Sequence, residues 1–181
     1  VMDALALERV VLIGHSMGGA VVTEAAIARP SAVKAVILVD TFIFDYGHVA
    51  VDECKAILAG IAADLPAAAQ AMVTNTTSTS TPTALRESIV GVMSRLDVNV
   101  GVPAFADLLD WDAEPRWPLL GDISVYAISG DLINADARRR HAGVVHEVIL
   151  PGTGHFLQLE APEQFREALV GLLAGIGQRR D

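Results

Sequence analysis

The stretch Val10-Val11-Leu12-Ile13-Gly14-His15-Ser16-Met17-Gly18-Gly19-Ala20 decides how this chain folds. A short β-branched, apolar run over residues 9–13 reads as a buried strand. It breaks into glycines, and residues 20–29 then favour a helix that stops at Pro30. A second apolar run, Val33 to Val39, follows at once, so the opening reads as strand, turn, helix, strand. Such a unit makes a parallel pair joined by a crossover.

Working outward, the last third repeats the alternation. Residues 123–129 are expected to form a strand, 135–142 a helix and 144–150 a strand, followed by the loop Pro151-Gly152-Thr153-Gly154. A final helix is expected from about Pro162, a favoured first-turn proline. It would bury Phe165, Leu169, Leu172, Leu173 and Ile176 at spacings of three and four. Strands alternating with helices predict an α/β fold with a parallel sheet. Between these parts strand signals vanish. Residues 46–118 therefore read as an inserted helical cap, with helices over 51–64, 67–73, 83–96 and 102–109, on a core made of residues 1–45 and 119–181. The nearly all Thr and Ser stretch 74–83 is expected to be a mobile connection within that cap.

Within the opening turn, Gly14-His15-Ser16-Met17-Gly18 fits G-x-S-x-G, placed after a strand and opening a helix as that motif requires. A serine on such an elbow is held above the sheet in a strained backbone conformation, and the two glycines are expected to spare a clash between strand and helix. The Met17 N–H then stands at a helix N-terminus, where an oxyanion would be stabilised. His15, at a variable motif position, is expected to pack beside the elbow without taking protons.

A hydroxyl attacks only when a base removes its proton, so Ser16 needs an imidazole. His155 is the candidate, because it follows a strand and a glycine-bearing loop directly before the last helix, at the strand edge where open α/β sheets carry their sites. His48, His141 and His146 are expected to be solvated. The imidazole in turn needs a carboxylate. Asp131, at the end of the strand 123–129, is the choice, and it gives the chain order Ser, Asp, His. Asp40, ending the neighbouring strand, and Asp136 remain as alternatives.

Gly14-His15-Ser16-Met17-Gly18-Gly19 resembles the nucleophile elbow of the α/β-hydrolase superfamily, in particular its capped esterase-like members. Asp40-Thr41, the helical insertion, Ile128-Ser129-Gly130-Asp131 and Gly152-Thr153-Gly154-His155-Phe156 follow in the family's order. The commoner family pattern puts the acid three residues after the glycine of a Gly-x-x-Asp turn. Counting from Gly130 reaches Ile133, a departure, although a subgroup with a shorter turn is similar to Ser129-Gly130-Asp131. By the same resemblance the chain holds about the second half of the sheet. Only Val1 to Glu8 precede the first strand, so the strands and the second oxyanion donor that the family places upstream are expected to lie outside this chain, which would make it a fragment with an exposed strand edge.

The resemblance implies a serine hydrolase that cleaves a carboxylic ester or related acyl bond of a small, partly hydrophobic substrate, with no metal or organic cofactor. Ser16 would attack, His155 shuttle the proton and Asp131 orient the ring. Phe42, Phe44, Trp111, Trp117 and Phe156 flank the cap boundaries and site loops and are candidates to wall the pocket or, equally, to glue cap to core. Carbon–carbon bond hydrolysis and perhydrolase or haloperoxidase chemistry share the same triad, and a non-catalytic ligand binder is a further alternative. A net charge of −9 with a basic run only at Arg138-Arg139-Arg140 argues against nucleic acid. The lone Cys54 excludes an internal disulfide. With neither a signal pattern nor an uninterrupted apolar stretch, a cytoplasmic protein away from membranes is expected. The oligomeric state is not legible.

Overall fold

The computed structural model describes residues 1–178; the core limit drawn at residue 181 runs beyond the described residues. Four parallel strands stand in the order β1-β2-β3-β4: β1 Val10–His15, β2 Val33–Val39, β3 Ser124–Ser129 and β4 Val145–Ile149. The helices are α1 Met17–Ala28, α2 Val51–Ala63, α3 Leu65–Thr76, α4 Thr83–Met93, α5 Val98–Leu109, α6 Ala135–His141, α7 Leu157–Glu160 and α8 Pro162–Gln178. The fold is thus an α/β sheet of parallel strands with flanking helices, and four of the helices lie between β2 and β3.

The strand period of two sorts the core onto the two faces of the sheet. Val36 and Leu38 of β2 join Val125 and Ala127 of β3 in a cluster with Ala20 and Ala26 of α1, Phe42, Trp111 and Trp117. Ala35, Ile37 and Val39 point the other way and meet Tyr126, Ile128, Leu157 and Ile176, with Phe165, Leu169 and Leu172 of α8 packed at the margin. Leu173, expected in that buried row, is instead 37% exposed, because the buried stripe of α8 runs through Leu169, Leu172 and Ile176 and leaves Leu173 to one side. β2 is buried along most of its length, which explains why it is apolar at every position but Lys34.

The elbow shows which glycines the sequence needs. A Cβ on Gly14 would be driven into the backbone of Gly18, and one on Gly19 into the Thr41 side chain, whereas a Cβ on Gly18 would meet open space. The expectation that Gly14 and Gly18 both spare a clash is therefore corrected. Gly18 contributes its carbonyl to the tight approach, not its missing side chain. Gly14→Ala is expected to destabilise the fold by about 1–3 kcal/mol or more, as overpacking does, while Gly18→Ala leaves the melting temperature unchanged or raises it, alanine being the better helix former. Thermal melts of the two variants test this contrast.

The polar segment expected to be a mobile connection is instead tied down. Arg86 of α4 donates from Nε to Thr77 Oγ1 (3.0 Å) and from Nη2 to the Ser78 carbonyl (2.6 Å). The Thr76 carbonyl accepts the His155 N–H at 2.6 Å. Among the described residues no single helix is long and apolar enough to cross a membrane.

Candidate active site

Every strand ends at the same edge of the sheet, and the candidate residues leave it there. Pairing of Gly14 with Leu38 and of Val39 with Ile128 aligns the strand ends, so Ser16 follows β1, Asp40 follows β2, Gly130 and Asp131 follow β3, and the loop carrying His155 follows β4. Backbone bonds extend this ladder past the strands: Ser16 N–H to the Val39 carbonyl at 2.9 Å, and Asp40 N–H to the Ile128 carbonyl at 2.9 Å. Two of these residues pay for their placement in backbone strain. Ser16 has φ +54° and Asp40 φ +45°, a left-handed region that a residue with a Cβ occupies only where its surroundings enforce it.

Three side chains meet at this edge. His155 Nε2 lies 3.0 Å from Ser16 Oγ, and its Nδ1 lies 2.7 Å from Asp40 Oδ2. Both His155 and Asp40 are fully buried, and the other carboxylate oxygen of Asp40 accepts the Gly130 N–H at 2.7 Å. With a buried carboxylate on Nδ1, that nitrogen carries the proton and Nε2 faces the hydroxyl as an acceptor.

The carboxylate on His155 is therefore Asp40 and not Asp131. Asp131 is exposed, and its Oδ2 accepts the Gly152 N–H at 2.7 Å. Its turn is closed by Asp131 N–H to the Thr153 carbonyl (3.0 Å). Asp136, the other alternative, is ion-paired with Arg139 on the exposed side of α6.

Met17 is the first residue of α1, so its N–H belongs to the donors a helix leaves open at its start, directly beside Ser16. Of the aromatic candidates, Phe156 flanks the site, with its ring edge-on to His155 at 5.1 Å between centroids. Phe42, Trp111 and Trp117 are buried in the core cluster on one face of the sheet, where they join the insertion to the core. Phe42 stacks on Trp111 and packs at a tilt against His141, Trp111 Nε1–H donates to Glu24 of α1 (2.8 Å), and Trp117 Nε1–H donates to His141 Nδ1 (3.2 Å). Phe44 packs against Tyr46 and Phe105 of α5.

The histidines divide by burial. His15 donates from Nε2 to the carbonyl of His155 at 2.8 Å, and burial holds its imidazole below the ordinary histidine value despite that bond. Through that bond it steadies the backbone of His155. His141, expected to be solvated, is buried instead, and burial likewise lowers its pKa against the opposing pull of Asp45 and Glu114. It is the acceptor that satisfies the Trp117 indole. His48 comes within 4.8 Å of Asp112 and Glu114, yet Glu114 already serves Arg140 (3.2 Å) and Asp112 Oδ1 accepts the Glu114 N–H (2.9 Å), so these groups are committed to one another. Tyr46, which sequence reasoning passed over, is buried, with a hydroxyl that has no partner among the described residues; burial and the Asp40 charge hold the phenol protonated.

A strand-elbow-helix unit with a serine after β1, a buried acid after β2 and a histidine after β4, all at one sheet edge, defines a class, and the sequence agrees. The model of the alpha/beta hydrolase family matches residues 1–168, and the chain belongs to that family. Among solved structures it is similar to a bromoperoxidase from Bacillus anthracis (15% identity, TM-score 0.81, covering 96% of this chain and 70% of that one). It is similar too to an esterase from Exiguobacterium antarcticum (19%, 0.83, 96% and 69%) and a thermophilic esterase from Thermogutta terrifontis (21%, 0.79, 97% and 68%). No curated protein matches.

Proposed function

We propose that this chain carries the nucleophile, base and acid of a serine hydrolase acting on a carboxylic ester or related acyl bond. The reading rests on one observation, the buried relay in which Asp40 holds Nδ1 of His155 at 2.7 Å while Nε2 reaches Ser16 Oγ at 3.0 Å. In the first half-reaction Ser16 Oγ attacks the carbonyl carbon and its proton passes to His155 Nε2. Asp40 stabilises the imidazolium without taking the proton. The Met17 N–H donates to the oxyanion. His155 then returns the proton to the departing alcohol, and water, activated by the same ring, releases the acid and restores Ser16.

The helices α2 to α5 act as a cap in this reading, with Phe156 as one wall of the space over Ser16. The esterase and bromoperoxidase likenesses are compatible with an acyl-enzyme on the serine, and the ester is the simpler donor. Incubation with a fluorophosphonate is expected to attach one phosphonyl group to the peptide containing Ser16, read by mass spectrometry. Absence of that adduct, or its appearance elsewhere, would overturn the proposal in favour of a ligand-binding member of the fold.

A further inference from the structure

We propose that Glu160 is a positioning residue, whose carboxylate fastens the His155 loop to the helical insertion and so keeps His155 Nε2 within reach of Ser16 Oγ. The proposal deepens the hydrolase reading and rests on the roles given there to Ser16 and His155.

Four donors converge on this one side chain. Oε2 accepts the Ser78 N–H at 2.8 Å, the Thr81 hydroxyl at 2.6 Å and the Gly154 N–H at 3.2 Å, and Oε1 accepts the Phe156 N–H at 3.1 Å. Three of the four donors crowd onto Oε2, more than its two lone pairs serve ideally, and the fourth bonds Oε1, so both oxygens are engaged. The donors fall into two pairs. Ser78 and Thr81 belong to the segment between α3 and α4, whereas Gly154 and Phe156 are the residues on either side of His155. Glu160 thus joins two parts of the chain that are some eighty residues apart, and does so across the base itself.

The rest of the contact is built to the same end. The His155 N–H donates to the Thr76 carbonyl at 2.6 Å, and a Cβ on Gly154 would strike the Thr76 carbonyl oxygen and the Ser78 nitrogen. Arg86 holds the far side of the segment through Thr77 and Ser78. The base is therefore placed by its sheet-edge loop and by the insertion together. A shift of residues 76–81 is passed to the ring, and a misplacement near 1 Å costs about 100-fold in rate.

A glutamine at 160 has one accepting oxygen, and its NH2 would face donors on the other side. The Ser78–Thr81 pair and the Phe156 N–H cannot then both be served. Glu160→Gln is expected to slow fluorophosphonate labelling of Ser16 about 10- to 100-fold. On an ester substrate kcat carries the loss and KM changes little. Glu160→Asp, which keeps the charge, recovers part of the rate.

The decisive readout is independent of turnover. In side-chain 15N spectra at pH 8, His155 of the unaltered protein is expected to show the Nδ1–H tautomer, and folded Glu160→Gln a mixture of tautomers. Unchanged labelling and an unchanged tautomer in that variant would overturn the proposal. If Glu160→Gln fails to melt cooperatively, Thr81→Val removes one donor and leaves the carboxylate in place, and it must shift rate and tautomer in the same direction by less; no shift overturns the proposal. Absence of labelling in the unaltered protein would overturn the hydrolase reading instead, while the tautomer comparison still decides the role of Glu160.

Discussion

Asp40→Asn is expected to lower kcat/KM on an ester substrate about 10,000-fold, the cost of holding the catalytic imidazole in the wrong tautomer, whereas Asp131→Asn leaves it nearly unchanged. The asymmetry follows from what each carboxylate touches. Asp40 spends one oxygen on the Gly130 N–H and the other on His155 Nδ1, both at 2.7 Å and both out of solvent. An asparagine has one accepting oxygen for these two donors. If its oxygen stays on Gly130, its NH2 donates to Nδ1, and the ring proton moves to Nε2, where it faces Ser16 and blocks the transfer. If the oxygen turns to His155, the amide is set against the Gly130 N–H, and the buried unpaired donors cost about 1–3 kcal/mol of stability. Asp131 offers its Oδ2 to the Gly152 N–H on an exposed rim, and an asparagine oxygen accepts that bond equally well. Steady-state rates of the two variants, with a melt to separate folding from chemistry, check the assignment. An Asp131→Asn enzyme as impaired as Asp40→Asn would overturn it.

The choice between these two acids is where the sequence ran out. Both follow a strand, both precede His155, and both lie at the same sheet edge, so chain order cannot separate them. The count from Gly130 to Ile133 was the one sequence signal that the usual position is empty. What decides the matter is three-dimensional: the strained φ of +45° at Asp40 turns its side chain under the ring, and the Gly130 N–H stands ready to hold the second oxygen. The architecture was far more legible. Runs such as Val33–Val39 are apolar at every position but Lys34 because neighbours cover both faces of an inner strand, and that cause is local enough to read.

Nonlocal bonds account for the remaining gaps. Composition alone makes a Thr- and Ser-rich stretch look loose, but Arg86 of the next helix and Glu160 fix it, and nothing in the spacing announces Glu160, a partner so far along the chain. The tryptophans are ambiguous in the sequence for a similar reason. An aromatic residue at a junction suits a pocket or a joint equally, and the indole N–H bonds to Glu24 and His141 are what assign both to the joint.

Ser16→Ala is expected to lower kcat about a million-fold, and His155→Ala by a comparable factor, with the double variant scarcely worse than either. A nucleophile and its base form one device. Without Oγ the ring has nothing to deprotonate, and without the ring Oγ keeps its proton, so the second loss removes what the first has already disabled. Neither change touches the Met17 N–H at the start of α1, and oxyanion stabilisation and binding sustain the residual rate above that in water. The alanine at 16 should also relieve backbone strain only in part, because φ of +54° is imposed by the Ser16 N–H bond to Val39 and by the close approach of Gly14 to Gly18, both of which persist. Ester turnover of the three variants, each checked for the absence of fluorophosphonate label, measures the coupling. Losses that multiply in the double variant would mean that Ser16 and His155 act in separate steps, and the relay from Asp40 through His155 to Ser16 would then have to be read as structural.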